Sequence, residues 1–85
     1  MAYRIEFTPL ARRQLDKLER SQQVRIAAAV DSLAENPRRH GVEKMQGPDD
    51  FYRLRVGEWR IIFQIHDRVL LVVVVRIGNR KDVYR

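Results

Sequence analysis

The stretch that decides the fold is residues 51–66, which read FYRLRVGEWRIIFQIH. Successive side chains of a strand point to opposite faces of a sheet, so alternating apolar and polar residues indicate a strand with one buried face. The alternation occurs on both sides of Gly57-Glu58, a pair suited to a tight turn. The stretch therefore predicts a β-hairpin made of Phe51–Val56 and Trp59–His66.

The residues at the start of the chain predict a strand followed by a helix. Residues 3–7 alternate with the period of a strand. Thr8 can cap a helix, and Pro9 suits its first turn because proline lacks the N–H that is left without a partner there. Apolar residues then repeat at helical spacing, and we expect this first helix to continue to about residue 19.

A second helix is predicted over residues 22–35, with Ser21 as its N-cap. It should end at Asn36-Pro37, because the residue before a proline avoids the helical region. The short gap between the two helices predicts an antiparallel helical hairpin. Residues 38–50 are polar, contain two glycines and a proline, and are predicted to form a loop.

After the β-hairpin, residues 69–77 predict a further strand that is apolar on both faces. Such a strand belongs in the interior of a sheet. Gly78-Asn79 is expected to break it, and residues 81–84 are a candidate for a last short strand. The order β-α-α-β-β-β, with an optional last β, predicts one α+β domain over residues 1–85. A helical hairpin is expected to pack on one face of a small, mostly antiparallel, twisted sheet, which gives two layers. The other face of the sheet is then left partly open.

The charge of the chain is concentrated in its last third. The net charge is +6, and residues 1–50 hold nine basic and eight acidic side chains against eight and three in residues 51–85. This excess predicts a polyanionic partner, with nucleic acid as the first candidate. A basic surface that serves only solubility explains the charge equally well. The absence of cysteine excludes disulfides and thiolate sites. With no signal-peptide pattern and no long apolar run, we expect a cytoplasmic protein without membrane contact.

Three arginines of the predicted hairpin can lie on one face of the sheet. The period of two places Arg53 and Arg55 on one side of the first strand, and Arg60 can join them if the register allows it. Clustered guanidinium groups bind phosphates and stabilise the charge that develops during RNA cleavage. The alternative is that these arginines are ordinary solvent-facing residues of the sheet, and alternation alone favours that alternative.

Other catalytic chemistries have fewer candidates in the sequence. The last third of the chain contains only three carboxylates, Glu58, Asp67 and Asp82, and two of these lie in predicted turns. Nucleases that use Mg²⁺ need convergent carboxylates, so we expect no metal or other cofactor. The two histidines, His40 and His66, lie in a basic loop and at a strand end, which disfavours a two-histidine ribonuclease site.

The chain resembles the RelE/ParE toxin superfamily over nearly its whole length. No single motif is decisive, but their order and spacing together are specific. The matching pieces are residues 3–11 (YRIEFTPLA), 36–37 (NP), 44–47 (KMQG), 52–63 (YRLRVGEWRIIF) and 76–84 (RIGNRKDVY). The resemblance implies a toxin of a type II toxin–antitoxin system that a cognate antitoxin neutralises, and that contacts operator DNA only through the antitoxin complex.

Within the superfamily, the resemblance to RelE-like members implies a ribosome-dependent mRNA endonuclease. Such an enzyme cuts A-site codons and so inhibits translation. The 2′-hydroxyl attacks the adjacent phosphate without a metal. Position by position, Arg53 and Arg55 match residues that hold the RNA backbone, and Arg60 matches the arginine that stabilises the phosphorane. Arg80 and Tyr84 match a further arginine and a tyrosine that stacks on or protonates the RNA. The remaining basic residues expected to contact RNA are Lys44, Arg76 and Lys81.

One departure from the pattern changes the expected chemistry. Some RelE-like enzymes carry lysine where this chain has Arg53 and Arg55, and arginine cannot lose its proton near neutral pH. Electrostatic stabilisation is therefore the expected role of these two residues. Two alternatives share the fold: a ParE-like inhibitor of DNA gyrase, which generally lacks this arginine–tyrosine set, and an inactive homologue that serves as co-repressor with its antitoxin.

Overall fold

The structure is a computed structural model that describes residues 2–47 and 50–79. Within these residues the helices and strands follow one another in the order β-α-α-β-β-β-β. The elements are β1 (Arg4–Phe7), α1 (Pro9–Asp16), α2 (Arg20–Glu35), β2 (Val42–Lys44), β3 (Phe51–Val56), β4 (Trp59–His66), a 3-10 turn (Asp67–Val69) and β5 (Leu71–Asn79).

The strands form one five-stranded sheet in the order β1-β5-β4-β3-β2. Only β1 and β5 pair in parallel, and the other described pairs are antiparallel. The predicted α+β class and the mostly antiparallel sheet are therefore confirmed. The apolar strand β5 lies in the interior of the sheet as predicted, between β1 and β4, and β4 occupies the middle.

The first helix begins as predicted and ends earlier. The Thr8 hydroxyl accepts a hydrogen bond from the backbone N–H of Ala11 at 3.1 Å. Helix α1 then ends at Asp16 rather than near residue 19. The side chain of Gln23 donates to the carbonyl oxygens of Asp16 and Leu18, at 3.2 and 3.1 Å. These carbonyls therefore have partners outside α1, which allows the chain to turn there.

The predicted N-cap of the second helix is wrong. Helix α2 starts at Arg20 with Glu19 in the cap position, so Ser21 lies inside the first turn. The backbone N–H of Gln23 bonds to the carbonyl of Glu19 at 2.9 Å, which sets the first turn two residues earlier than a Ser21 cap would. The preference of serine for the cap is a local tendency that the contact with the end of α1 overrides. The predicted end of the helix at Asn36 is confirmed.

Residues 38–50 were predicted to be a loop, but three of them form strand β2. Val42 lies opposite Leu54 of β3, and Glu43 lies opposite Arg53. A strand of three residues is too short to show an alternating pattern, so the sequence carried little signal for it. The strand forms because β3 would otherwise present an unpaired backbone edge.

The predicted bounds of the last strand need correction at both ends. Residues Asp67–Val69 form a 3-10 turn, and Leu70 leaves it with a positive φ of 50° before β5 begins. At the other end, Gly78-Asn79 does not break the strand, because Gly78 pairs with Arg60 and Asn79 with Trp59. The candidate strand over residues 81–84 lies outside the described residues.

One hydrophobic core joins the two helices to one face of the sheet. Phe63 of β4 is fully buried at its centre, and its ring stacks on Tyr52 with centroids 5.9 Å apart. The helices contribute Ala11, Leu15, Ile26, Val30 and Leu33, and the strands contribute Leu54, Ile61, Ile65, Val72, Val74 and Ile77. Across the described residues, no helix has both the length and the apolar character that crossing a bilayer requires.

Candidate nucleic-acid interface

Four arginines lie on the sheet face opposite the helices, which we call the arginine face: Arg53, Arg55, Arg60 and Arg76. Arg55 of β3 is directly opposite Arg60 of β4, and Arg60 is in turn opposite Gly78 of β5. Two residues further along β4, Ile62 lies between Arg53 of β3 and Arg76 of β5. Directly opposite residues share a face, so the predicted convergence of Arg53, Arg55 and Arg60 occurs in the structure.

Arg76 reaches this face because of an irregularity in β5. Ile62 pairs with Arg76 but its neighbour Phe63 pairs with Val74, which leaves Val75 as an extra residue in the strand. Val74 is buried in the core, so strict alternation would place Arg76 there too. The bulge shifts the alternation by one residue, and Arg76 becomes exposed on the opposite face while Ile77 takes the core position.

Arg60 differs from the other members because only 2% of its surface is exposed. Arg55 and Arg76 are exposed. Arginine stays protonated even when buried, because its pKa lies above about 12. A charge at a site of low dielectric acts more strongly on a nearby anion than one in water. The arrangement therefore combines a buried fixed cation with exposed cations around it, which suits a phosphate group that gains negative charge during reaction.

Arg53 has an acidic neighbour on the edge strand. Its guanidinium donates to Oε2 of Glu43 at 3.1 Å, across the β2–β3 pair. The Arg53 side chain is 23% exposed, whereas that of Glu43 is 67% exposed. The ion pair orients Arg53 along the arginine face and offsets part of the positive charge at that edge.

Of the other predicted site residues, Lys44 falls within the described part of the chain and does not join the arginine face. Lys44 lies opposite Tyr52, whose ring is in the core, so the backbone places Lys44 on the helix side of the sheet. Its Nζ is 3.6 Å from Oδ1 of Asp50. Arg80, Lys81 and Tyr84 lie outside the described residues, so their predicted roles remain predictions.

A second polar cluster was missed from the sequence. Arg38 donates from both terminal nitrogens to Asp67, each at 2.9 Å, and the Tyr3 hydroxyl donates to the same carboxylate at 2.7 Å. Arg38 also donates to the Tyr52 hydroxyl at 3.4 Å, and its guanidinium lies 5.4 Å from the centre of that ring. The partners are up to 64 residues apart, so no local pattern could reveal them.

This cluster changes the acidity of its members. The hydrogen bonds from Arg38 and then Tyr3 lower the pKa of Asp67 to about 2. The same bond to Asp67 raises the pKa of Tyr3 above its usual value, and Asp67 followed by Tyr52 raises the pKa of Arg38. The cluster joins the residue before β1, the segment after α2, β3 and the 3-10 turn, so we assign it to stability rather than to a reaction.

The sequence profile of a known family matches almost the whole chain. This family is described as the ParE toxin of type II toxin–antitoxin system, parDE, and the match covers residues 5–84. The chain belongs to the RelE/ParE toxin superfamily. Its resemblance to that superfamily, predicted from its motifs, is thereby confirmed.

Among named relatives, this RelE/ParE chain is 34% identical over 90 residues to Toxin RelG of Mycobacterium tuberculosis, a match that covers 100% of this chain and 99% of RelG. It is 28% identical over 83 residues to the mRNA interferase toxin RelE of Escherichia coli K12, covering 95% and 86% of the two chains. The crystal structure of the toxin–antitoxin complex RelBE2 from Mycobacterium tuberculosis contains a chain that superposes with a TM-score of 0.83 at 26% identity, covering 94% of this chain and 100% of that one. The chain is therefore a RelE-like toxin of a type II toxin–antitoxin system.

Proposed function

We propose that this toxin is a ribosome-dependent mRNA endonuclease that cuts the codon in the A site without a metal. The observation that carries the proposal is the convergence of Arg53, Arg55, Arg60 and Arg76 on the face of the sheet opposite the helices. Guanidinium groups bind phosphate oxygens through two parallel hydrogen bonds, so a group of them on one surface matches an RNA backbone. The name mRNA interferase, borne by RelE of Escherichia coli, supports the same activity.

In the proposed reaction the RNA 2′-oxygen bonds to the adjacent phosphorus while the bond from phosphorus to the 5′-oxygen of the next nucleotide breaks. Negative charge builds on the non-bridging oxygens, where the buried Arg60 stabilises it. Arg53 and Arg55 hold the backbone, and we assign RNA contact to Arg76 as well. Arg80 and Tyr84 keep their predicted roles as a second stabilising cation and as a stacking or proton-donating group.

The proton of the 2′-hydroxyl needs an acceptor, and arginine is excluded because it stays protonated. If Tyr84 protonates the leaving 5′-oxygen, a group of the ribosome accepts the proton of the 2′-hydroxyl; if Tyr84 is the acceptor, the ribosome supplies the proton to the leaving oxygen. The proposed protein partner is a cognate antitoxin, supported by the toxin–antitoxin complexes that share this fold. Contact with operator DNA is proposed only for the complex with that antitoxin.

The test is a cleavage assay with purified toxin on ribosomes programmed with a defined mRNA. We expect a cut within the A-site codon in the presence of a metal chelator, and naked RNA left largely intact. Because the matching family profile bears the ParE name, DNA supercoiling by gyrase is assayed in parallel. Loss of supercoiling at low toxin with intact A-site mRNA would identify a gyrase inhibitor instead. No effect in either assay, with tight antitoxin binding, would identify an inactive co-repressor.

A further inference from the structure

The extra residue in β5 faces an element that is not part of the sheet. Strand β1 pairs with β5 only as far as Phe7 opposite Val74, and within residues 2–47 and 50–79 no strand lies beside the next residues of β5 on that side. Helix α1 lies there instead. The Thr8 hydroxyl donates to the carbonyl of Val75 at 3.1 Å, and Oε1 of Gln14 accepts from the N–H of Ile77 at 2.8 Å.

These two hydrogen bonds favour the register in which β5 contains the extra residue. The carbonyls of Leu70, just before β5, and of Val74 point to the side of β1, where they accept from the N–H groups of Arg4 and of Thr8, just after β1, at 2.7 and 3.0 Å. Backbone groups on one edge of a strand recur every second residue, so regular alternation would bring residue 76 to that edge next. The N–H that meets Gln14 is that of Ile77 instead. The carbonyl and amide that α1 binds are therefore those that only the bulged strand presents.

We infer that Gln14, with Thr8, is a positioning residue that holds the bulge in β5 and thereby keeps Arg76 on the arginine face. Without these bonds, β5 would pair with β4 without the extra residue. Val75 would then gain a partner on β4, and Arg76 would turn toward the core. A buried unpaired guanidinium is costly, so the strand would exchange between the bulged and the unbulged register rather than settle in either. Gln14 itself does not contact the RNA in this scheme, and its effect on cleavage passes through the residues that follow the bulge, of which Arg76 is the first.

The activity test rests on the proposed function and uses a double-mutant cycle of Gln14→Leu and Arg76→Ala on programmed ribosomes. We expect Gln14→Leu to lower kcat/KM by up to about 10²-fold, the scale of a small displacement of a reacting group. In the Arg76→Ala background its further effect should be clearly smaller than in the wild type, because two changes that act through a shared side chain are not additive. Gln14→Glu keeps an acceptor oxygen and should restore cleavage. Factors that multiply, or failure of Gln14→Glu to restore activity, contradict the inference.

A second measurement does not depend on activity. Nuclear Overhauser contacts between the backbones of β4 and β5 report the register directly in the folded protein. In Gln14→Leu we expect the contact between Ile62 and Arg76 to weaken and one between Ile62 and Val75 to appear, while Gln14→Glu keeps the native pattern. An unchanged Ile62–Arg76 contact in Gln14→Leu overturns the inference. If the wild-type toxin cleaves no mRNA, the proposed function fails, and this measurement still decides the role of Gln14.

Discussion

At the scale of single residues, Arg60 is the member of the arginine face with the least exposed surface. Its neighbour across the hairpin, Arg55, is exposed, although the two residues are directly opposite each other. Two cations in this position repel each other, so an anion that binds both is favoured over an empty face. We therefore expect Arg60 to contribute most in the transition state and Arg55 to contribute mainly to binding.

Arg60→Ala should lower the rate of A-site cleavage by about 10²-fold or more, the effect of removing one donor to a developing oxyanion. The matched control is Arg68→Ala, which removes one exposed positive charge in the 3-10 turn, away from the arginine face. Cleavage rates are compared at saturating toxin, and thermal unfolding shows what fraction of each variant is folded. Normal cleavage by folded Arg60→Ala would show that the site lies elsewhere.

At the scale of elements, the sheet is held at two places by side chains from outside it. Thr8, the N-cap of α1, and Gln14 of α1 bind the edge of β5 beyond β1. At the opposite end of β4, Asp67 ties the 3-10 turn to Arg38 and Tyr3. Thr8 and Gln14 give backbone groups of β5 partners that the strand ladder does not supply, which also protects that part of the sheet edge from pairing with another chain. The Asp67 cluster instead fixes the 3-10 turn through side-chain hydrogen bonds.

The Asp67 cluster predicts a dependence of stability on acid pH. Asp67 has a pKa of about 2 in the folded chain, below the ordinary value of 3.8. A carboxyl group whose pKa is lowered by folding stabilises the native state above the unfolded pKa, and this contribution disappears as the pH falls through the folded pKa. As the pH is lowered from about 4 to 2, the thermal unfolding midpoint of the wild type should therefore decrease. That of Asp67→Asn should decrease less.

Asp31→Asn is the control for this experiment, because Asp31 is an exposed carboxylate on α2. It should keep the acid dependence of the wild type. If Asp67→Asn and the wild type lose stability in parallel between pH 4 and 2, Asp67 is not the group responsible.

At the scale of the whole molecule, 85 residues support one small core. A domain of this size buries only about 60–65% of the surface that its unfolded chain exposes. Its free energy of unfolding is then a small difference, on the order of 5–15 kcal/mol. The core residues of α2 seal one face of the sheet, so the stability of the arginine face on the other side depends on them.

Ile26→Ala should lower the free energy of unfolding by about 2–5 kcal/mol, because it removes buried methyl groups and leaves a cavity. Ile26 is fully buried in the core. The control is Leu10→Ala in α1, a residue that is 44% exposed and for which the expected change is within about 0.5 kcal/mol. Urea unfolding followed by circular dichroism measures both. Equal losses from the two substitutions would contradict the assignment of the core.

Much of the fold could be predicted from local patterns. The hairpin bounds Phe51–Val56 and Trp59–His66 agree with the prediction residue for residue, because alternation on both sides of a glycine turn is a strong signal. The cap at Thr8 and the stop at Asn36-Pro37 follow from backbone chemistry that a few residues determine. Strand β2 and the N-terminus of α2 were missed, since contacts with distant residues decide both.

For the site, the sequence by itself determined that Arg53, Arg55 and Arg60 could share a face, because the period of two is a property of any strand. Only the tertiary structure decided that Arg76 joins them and Lys44 does not. One extra residue in β5 reverses the alternation, and pairing with β3 turns Lys44 to the helix side. Register and bulges arise from hydrogen bonds between segments far apart in the chain, and no local pattern of residues contains them.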